Sequence, residues 1–447
     1  MEETYRKIKK AVDRIRIIDT HEHLIQEKER LSTLADPFET FFTQYASSDL
    51  ISSGMTLKEL EDVQNSRDPL EDRWKILEPH WINIQNTGYA RTINIAVKDL
   101  YGLNGVTKET YKKLASRMKT ANKPGIYRWI LKEKSGIDLS VLDFLRIYED
   151  PIATLKSVDR EFFAPVFRFD DFVEAKDKMD IENLSTRYQL PIHSLADLIR
   201  SLENQFHKIH HMLAGIKIDL AYLRDLRFNK VSEREAEEVF VNVQNQIAYR
   251  KRYLKGMMEL DLQEGLTLRE MRPLQDFLIH RIIQLAASKN LVIQIHTGLQ
   301  EGNDNLITNS NPTLLVNLFS EYREAKFDIF HGAYPYTGEL ATLAKNFPNV
   351  YLDMCWLHAI SPSRARNALN EWLDTVPANK ILGFGGDYIF PEGTYGHAVI
   401  ARENIARVFA ERVEDQSVKE EDAIELAQRL LHDNAYAFFS CKTLRKK

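Results

Sequence analysis

Four short apolar stretches of this 447-residue chain each end on a residue type that binds divalent metals. Arg16-Ile17-Ile18-Asp19 runs into His21 and His23, and Leu291–Ile295 into His296. Phe327–Phe330 runs into His331, and Ile381–Gly386 into Asp387. Imidazole and carboxylate are the donors of a catalytic zinc-type site, whose open coordination position activates water. The stretches are rich in Ile, Leu, Val and Phe and read as strands. Alternation along a strand puts His21 and His23 on one face, with Asp19 on that face a layer deeper. Thr20 and Glu22 then face the other way, Glu22 towards a loop or solvent. One strand-end histidine is commonly structural. Four ligand-type ends in one chain predict a metal centre built by a barrel.

Other residues fall where a substrate would meet that centre. Asp387 follows Gly383-Phe384-Gly385-Gly386, whose glycines let a neighbouring group approach the backbone closely. Its carboxylate either ligates an ion, accepts a proton from bound water, or simply caps the next element. Lys217, in Ala214-Gly215-Ile216-Lys217-Ile218-Asp219, is flanked by residues expected to be buried. Either its ammonium pairs with Asp219 or Asp225, or it works inside the barrel. There it would orient a substrate anion or, carbamylated, bridge two metals. Arg168 ends Phe163–Phe169 and could clamp a carboxylate bidentately or form a structural ion pair. Trp356, His358 and Arg364, and later Tyr395, His397 and Arg402, follow the last two strands, where specificity loops belong. Arg168, Trp356, His358 and Arg402 are the substrate-binding candidates. Cys355 reads as a packing residue, since no base is identifiable for it.

Eight strands are needed to position these groups. Candidates besides Arg16–Asp19 are Ile137–Leu142, Phe163–Phe169, Gly215–Leu220, Leu291–Ile295, Phe327–Phe330, Val350–Met354 and Lys380–Gly385. Pro165 cannot donate to a ladder, so pairing of the third strand should begin after it. Helical segments intervene, at Arg234–Lys255, Leu268–Ser288 and Ser361–Asp374, and Glu420–Phe439 is placed to seal the outer ring. This alternation predicts a parallel sheet. The region from Gln26 to about Gly136 reads as a helical insertion, with Thr107 capping a helix on which Tyr111 and Leu114 share a face. After strand one such an insertion lies over the mouth of the barrel, as a lid or a substrate-selecting wall. The expected organisation is a single domain, 1–447, an α/β (β/α)8 TIM barrel with that long insertion.

The remaining composition is that of an ordinary globular protein, 44% hydrophobic and 28% charged. A formal net charge of -5 gives no basic footprint, so nucleic acid is not an expected partner. Cys355 and Cys441 are the only cysteines, which favours a reducing compartment. The charged N-terminus lacks a secretory apolar core, and no stretch approaches a membrane span. A cytoplasmic location and a small-molecule substrate are expected, and the aromatic insertion would suit a homo-oligomeric contact as well as a lid.

The order His-x-His after strand one, Lys217 on strand four, His296 and His331 after strands five and six and Asp387 after strand eight resembles the amidohydrolase superfamily. Gln294-Ile295-His296-Thr297-Gly298 and Asn349-Val350-Tyr351-Leu352-Asp353 look like its metal-dependent hydrolase branch, amidohydrolase 2. Parts also look like the amidohydrolase-type domain fused to glutamine synthetase in some fungal and plant proteins. The long insertion resembles that of uronate isomerases. The resemblance implies a divalent metal, most often zinc, with manganese or iron as alternatives, as one ion or two. It implies His21, His23 and Asp387 as ligands, and His296 as a further ligand or catalytic group. His331 would be a second-site ligand or would polarise the substrate.

The leading expectation is a hydrolase that uses metal-activated water on a C–N or C–O bond of a small polar molecule, with Asp387 shuttling the proton. The alternatives are an isomerase or non-oxidative decarboxylase of a small carboxylic acid, and a non-catalytic metal-binding relative.

Overall fold

The computed structural model describes residues 2–33, 35–144, 150–246 and 266–441. Its core is one parallel sheet of eight strands in sequential order. They are β1 (Ile17–Glu22), β2 (Ile137–Leu142), β3 (Phe163–Arg168), β4 (Gly215–Ile218), β5 (Val292–Ile295), β6 (Lys326–Ile329), β7 (Val350–Asp353) and β8 (Ile381–Leu382). The ring closes where the segment after β8 meets β1. Thr20 N–H donates to Phe384 C=O at 3.0 Å, Asp387 N–H to His21 C=O at 2.8 Å, and His23 N–H to Tyr388 C=O at 3.1 Å. With helices between the strands this is a (β/α)8 barrel.

Local chemistry explains where elements start. Capping boxes at Ser194, Ser232 and Thr267 open the helices Leu195–Ile209, Glu233–Asn245 and Leu268–Ser288. The part of the Arg234–Lys255 expectation beyond residue 246 lies outside the described residues. Pro165 falls two residues inside β3 rather than at its start. It pairs with Leu142 on one side, whereas pairing with β4 begins only at Val166, where N–H donors resume.

The segment between β1 and β2 folds as seven helices and a π-helical turn, from Glu27 to Lys134. Its own core is aromatic, with Trp74 stacked on Tyr111 at 5.0 Å and Phe42 edge-on to Trp81 at 5.2 Å. The helix expected from Thr107 starts at Tyr111, with Thr110 at its cap. Thr107 is held in the preceding turn, its N–H donating to Thr110 Oγ1 at 2.8 Å. Tyr111 and Leu114 are both buried, as their shared face requires.

Of the C-terminal helices, Glu420–Gln428 packs on the outer helices Glu2–Val12 and Pro391–Glu414, whereas Asn434–Phe438 turns under the barrel. Phe438, Phe439 and Cys441 pack with Ile18, Leu139, Val141, Val166, Val292 and Leu382, and plug the barrel's N-terminal opening. Among the described residues no helix is long and apolar enough to cross a membrane.

Candidate metal centre at the barrel mouth

The C-terminal strand ends bring together His21, His23, Asp387, His296, His331, Lys217 and Arg168. His21 Nε2 lies 3.3 Å from His23 Nε2 and 3.6 Å from Asp387 Oδ1, and His23 Nε2 lies 3.2 Å from the same oxygen. Donors at about 2.0–2.1 Å from a tetrahedral ion stand roughly 3.3 Å apart, so the triangle has the dimensions of a coordination face.

The tautomers agree with that reading. His21 Nδ1 is 3.1 Å from Gln294 Oε1, an acceptor, so it carries the ring proton. Gln294 is fixed in that orientation because its Nε2 donates to Thr20 C=O at 2.9 Å and to Asp328 Oδ2 at 3.0 Å. His23 Nδ1 donates to Asp143 C=O at 2.9 Å. Both Nε2 atoms therefore present lone pairs to each other, an arrangement that repels unless a cation lies between them. Burial, followed by the Lys217 charge, holds the His21 pKa well below its ordinary value. Burial also opposes a proton on His23, but its hydrogen bond to Asp387 and the charge of Asp143 outweigh it and raise its pKa. His23 is thus the ring on which a proton competes with an ion. The donor set fits a divalent metal.

A second pair repeats the pattern. His331 Nδ1 donates to Cys355 C=O at 3.0 Å and His296 Nε2 to Leu299 C=O at 3.1 Å. His331 Nε2 and His296 Nδ1 then face each other at 3.3 Å, both lone pairs. Asp387 Oδ2 is 3.7 Å from the former and Asp219 Oδ1 3.6 Å from the latter. Burial pushes both histidines down to about 3, so both are neutral at physiological pH. His296 therefore stands in this second group, beside His331, rather than in the His21–His23–Asp387 triangle. Asp387 spans both. The Cys355 thiol joins His331 and Asp387 in a close group, but burial raises its pKa well above the usual value and keeps it protonated.

Two residues missed by the sequence reading complete the frame. Asp143, directly after β2, also lies near His21, its Oδ2 3.8 Å from Nε2. Both its oxygens accept from Arg168 Nε at 3.0 and 2.8 Å, and with His21 and His23 it forms another group that could hold an ion. Arg168 Nη1 also donates to Asp219 Oδ2 at 2.6 Å. Arg168 is thereby occupied as a strut between two aspartates rather than free as a carboxylate clamp. Asp143 follows its strand as Asp387 follows β8, so the same strand-end rule could have found it. Asp219, read only as a partner for Lys217, sits instead with Arg168 and His296.

Lys217 points into a cavity of about 390 Å³ above the metal donors, which Tyr222, Trp356, Gln44 and Glu301 also line. It is 3% exposed, and its ammonium lies 3.8 Å from the centre of the Phe330 ring. No acceptor among the described residues takes a hydrogen bond from it, so it does not pair with Asp219 or Asp225. Asp225 pairs with Arg272.

Two substrate-binding candidates are displaced. His358 is fully buried behind the barrel wall, donating to Gly383 C=O at 3.1 Å and accepting from Asn404 at 3.2 Å. Arg402 donates to Ile15 C=O at 3.0 Å, at the opposite end of the barrel. The helix Pro391–Glu414 starts at the mouth and runs away from it, carrying Arg402 down.

Backbone strain gathers at the mouth. His331, Trp356 and Asp387 adopt left-handed φ of 60°, 58° and 59°, a conformation costly for non-glycine residues and frequent where function fixes a side chain. The room expected beside the glycines is used by Glu22, because a Cβ on Gly386 would stand 1.7 Å from Glu22 Oε1. Glu22 is buried and accepts from Tyr388 N–H at 2.9 Å.

The fold and site together define an α/β-barrel protein with a candidate divalent-metal site at its mouth. Residues 242–440 match the family model described as Amidohydrolase. The whole chain superposes on uronate isomerase from Thermotoga maritima with a TM-score of 0.76 at 16% identity, over 98% of this chain and 97% of that one. For glucuronate isomerase from Caulobacter crescentus the TM-score is 0.74 at 15% identity, over 98% and 94%. A Lactobacillus casei protein provisionally assigned as a metal-dependent hydrolase gives 0.61 at 18% identity, over 97% and 98%. Protein fluG of Emericella nidulans is 33% identical over 175 residues, covering 37% of this chain and 20% of its own length. The chain thus spans about a fifth of that relative. The family match covers the C-terminal part of the chain, and the likeness to the solved structures shows the shared barrel fold.

Proposed function

We propose that the chain is a metal-dependent hydrolase acting on a C–N or C–O bond of a small, anionic substrate. The observation that carries this is the convergence of His21 Nε2, His23 Nε2 and Asp387 Oδ1, with both rings held so that only lone pairs face the centre. A divalent ion there, zinc by donor type, supplies Lewis acidity and an acidified water. The chain's residues supply the rest. Asp387 Oδ2 faces His331 rather than the histidine pair, and is the atom placed to take a proton and return it to the leaving group. His331, neutral and donating Nδ1–H to Cys355 C=O, offers Nε2 as an acceptor on that path. Lys217 is buried with no carboxylate in ion-pair distance among the described residues, a setting that favours an anionic group of the substrate above it.

The insertion and Lys217 also favour a second reading, an isomerase of a small carboxylic acid, as in the two uronate isomerases of like fold. Turnover in ¹⁸O-water separates them, since hydrolysis places the label in product and isomerisation consumes no water. For the centre itself, elemental analysis of purified protein should find about one or two equivalents of metal. His23→Ala should lose the triangle's ion. Asp387→Asn should fold and lower kcat by about 10²-fold or more. Near-normal turnover in Asp387→Asn would overturn the assignment.

A further inference from the structure

We propose that a second, separate site at the N-terminal end of the barrel binds a small oxyanion through Arg402. The site is a cavity of about 380 Å³ between the first helix (Glu2–Val12), the turn before β1, the turn before β2 and the helix Pro391–Glu414. Arg402 lines it and is 6% exposed. Its guanidinium makes one hydrogen bond, from Nη2 to Ile15 C=O, and its buried Nε has no partner. No carboxylate lies within ion-pair distance of it among the described residues. A buried guanidinium that hydrogen-bonds one neutral carbonyl, and that is met by an acid only through the more distant charge of Asp13, favours an anion.

The surroundings add to it rather than neutralise it. Arg14 and Lys134 are exposed at the rim and form no ion pair with an acid of the cavity. Of the three acids of the wall, Asp13 is paired with Lys9 at 2.5 Å, Asp99 accepts from Tyr395 at 3.0 Å, and Glu133 is exposed at the rim. Arg16 is tied to Asp138 at 2.9 Å and to two backbone carbonyls. Gly136 makes the seat, since at φ +69° a Cβ there would come within 3.0 Å of Arg402 Nη2. The rigid fork of arginine suits phosphate and carboxylate alike, so the shared chemistry is an oxyanion. A cavity of this volume admits a small metabolite bearing one.

The test is thermal unfolding of the full-length protein with inorganic phosphate and, separately, malonate, with sodium chloride matched for ionic strength. Lys217→Met serves as the background that removes anion binding at the barrel mouth. Saturable stabilisation by one or both anions is expected in wild type and in Lys217→Met, and phosphate against malonate distinguishes the two sources. Arg402→Gln should abolish it. Lys134→Glu lies on the exposed rim, leaves Arg402 seated, and should weaken it by about threefold to fivefold, as an exposed charge pair allows. If Arg402→Gln fails to fold, Lys134→Glu carries the decision. Stabilisation that vanishes in Lys217→Met, survives Lys134→Glu undiminished, or never appears would overturn the proposal.

Discussion

At the scale of single residues, Gln294 illustrates how far the metal centre depends on groups that touch no ion. Its amide is oriented by Thr20 C=O and Asp328, and that orientation alone makes His21 Nδ1 the protonated nitrogen. Gln294→Leu should leave His21 free to turn or change tautomer, and weaken metal affinity by about 10- to 100-fold. Competition with a chromophoric chelator measures this, and unchanged affinity would show the tautomer is fixed by something else. The candidate residues were legible because each follows an apolar strand, and the structure brings His21, His23, His296, His331 and Asp387 together at the mouth. Gln294 was not, because a glutamine inside an apolar strand looks like any polar interruption until the residue opposite is known. Arg402 was misplaced for a related reason. Sequence distance after a strand does not reveal how far along a helix a residue has travelled from the mouth.

At the scale of elements, the insertion behaves as a wall of the site. Tyr45 stands edge-on to Trp356 with ring centres 4.1 Å apart and stacks on Tyr89 at 5.1 Å, so an insertion helix and the loop after β7 share one aromatic contact. Gln44, left-handed at φ 51°, donates to Asp387 C=O at 3.2 Å and accepts from Ile389 N–H at 3.3 Å. One side chain of the insertion therefore braces the backbone of Asp387. Gln44→Ala removes two hydrogen bonds of about 1 kcal/mol each without touching a donor atom. KM should rise about fivefold to thirtyfold, with the metal content unchanged; a loss of metal instead would place Gln44 in the support of the ion. Most strands were readable to within a residue or two, although β8 ends three residues before the expected Gly385, and the insertion's helical character was clear from its spacing. Its start signals were not: Thr107 and Thr110 are equally good caps in sequence, and only the turn they form together decides between them.

At the scale of the whole molecule, the polar layer beneath the metal centre sets how stability responds to pH. Asp328 on β6 and Asp353 on β7 are fully buried side by side, and Asp328 Oδ1 and Asp353 Oδ2 have no other partner. Burial pushes Asp328 up to about 7, against hydrogen bonds from Gln294 and Asp353 that pull it down. Burial and then the Asp328 charge raise Asp353 further. Two such acids hold a proton between them. An unfolded aspartate releases its proton near pH 4, so between about pH 4 and 7 the folded chain binds more protons than the unfolded one. Stability from this pair is present at low pH and is lost as pH rises through about 7, by up to about 1.4 kcal/mol per pH unit for one proton. The buried neutral histidines slope the opposite way below pH 6.5, because the unfolded chain binds protons that His296 and His331 refuse. Asp328→Asn separates the two contributions. The amide still accepts from Gln294 and donates to Asp353, so the layer stays hydrogen-bonded with no proton to hold. Denaturant unfolding of wild type and Asp328→Asn, both metal-saturated, should give a stability difference that moves in favour of the variant from pH 5 to pH 8. A difference independent of pH would mean that the two carboxylates share no proton, and that the barrel carries both charges through contacts other than each other.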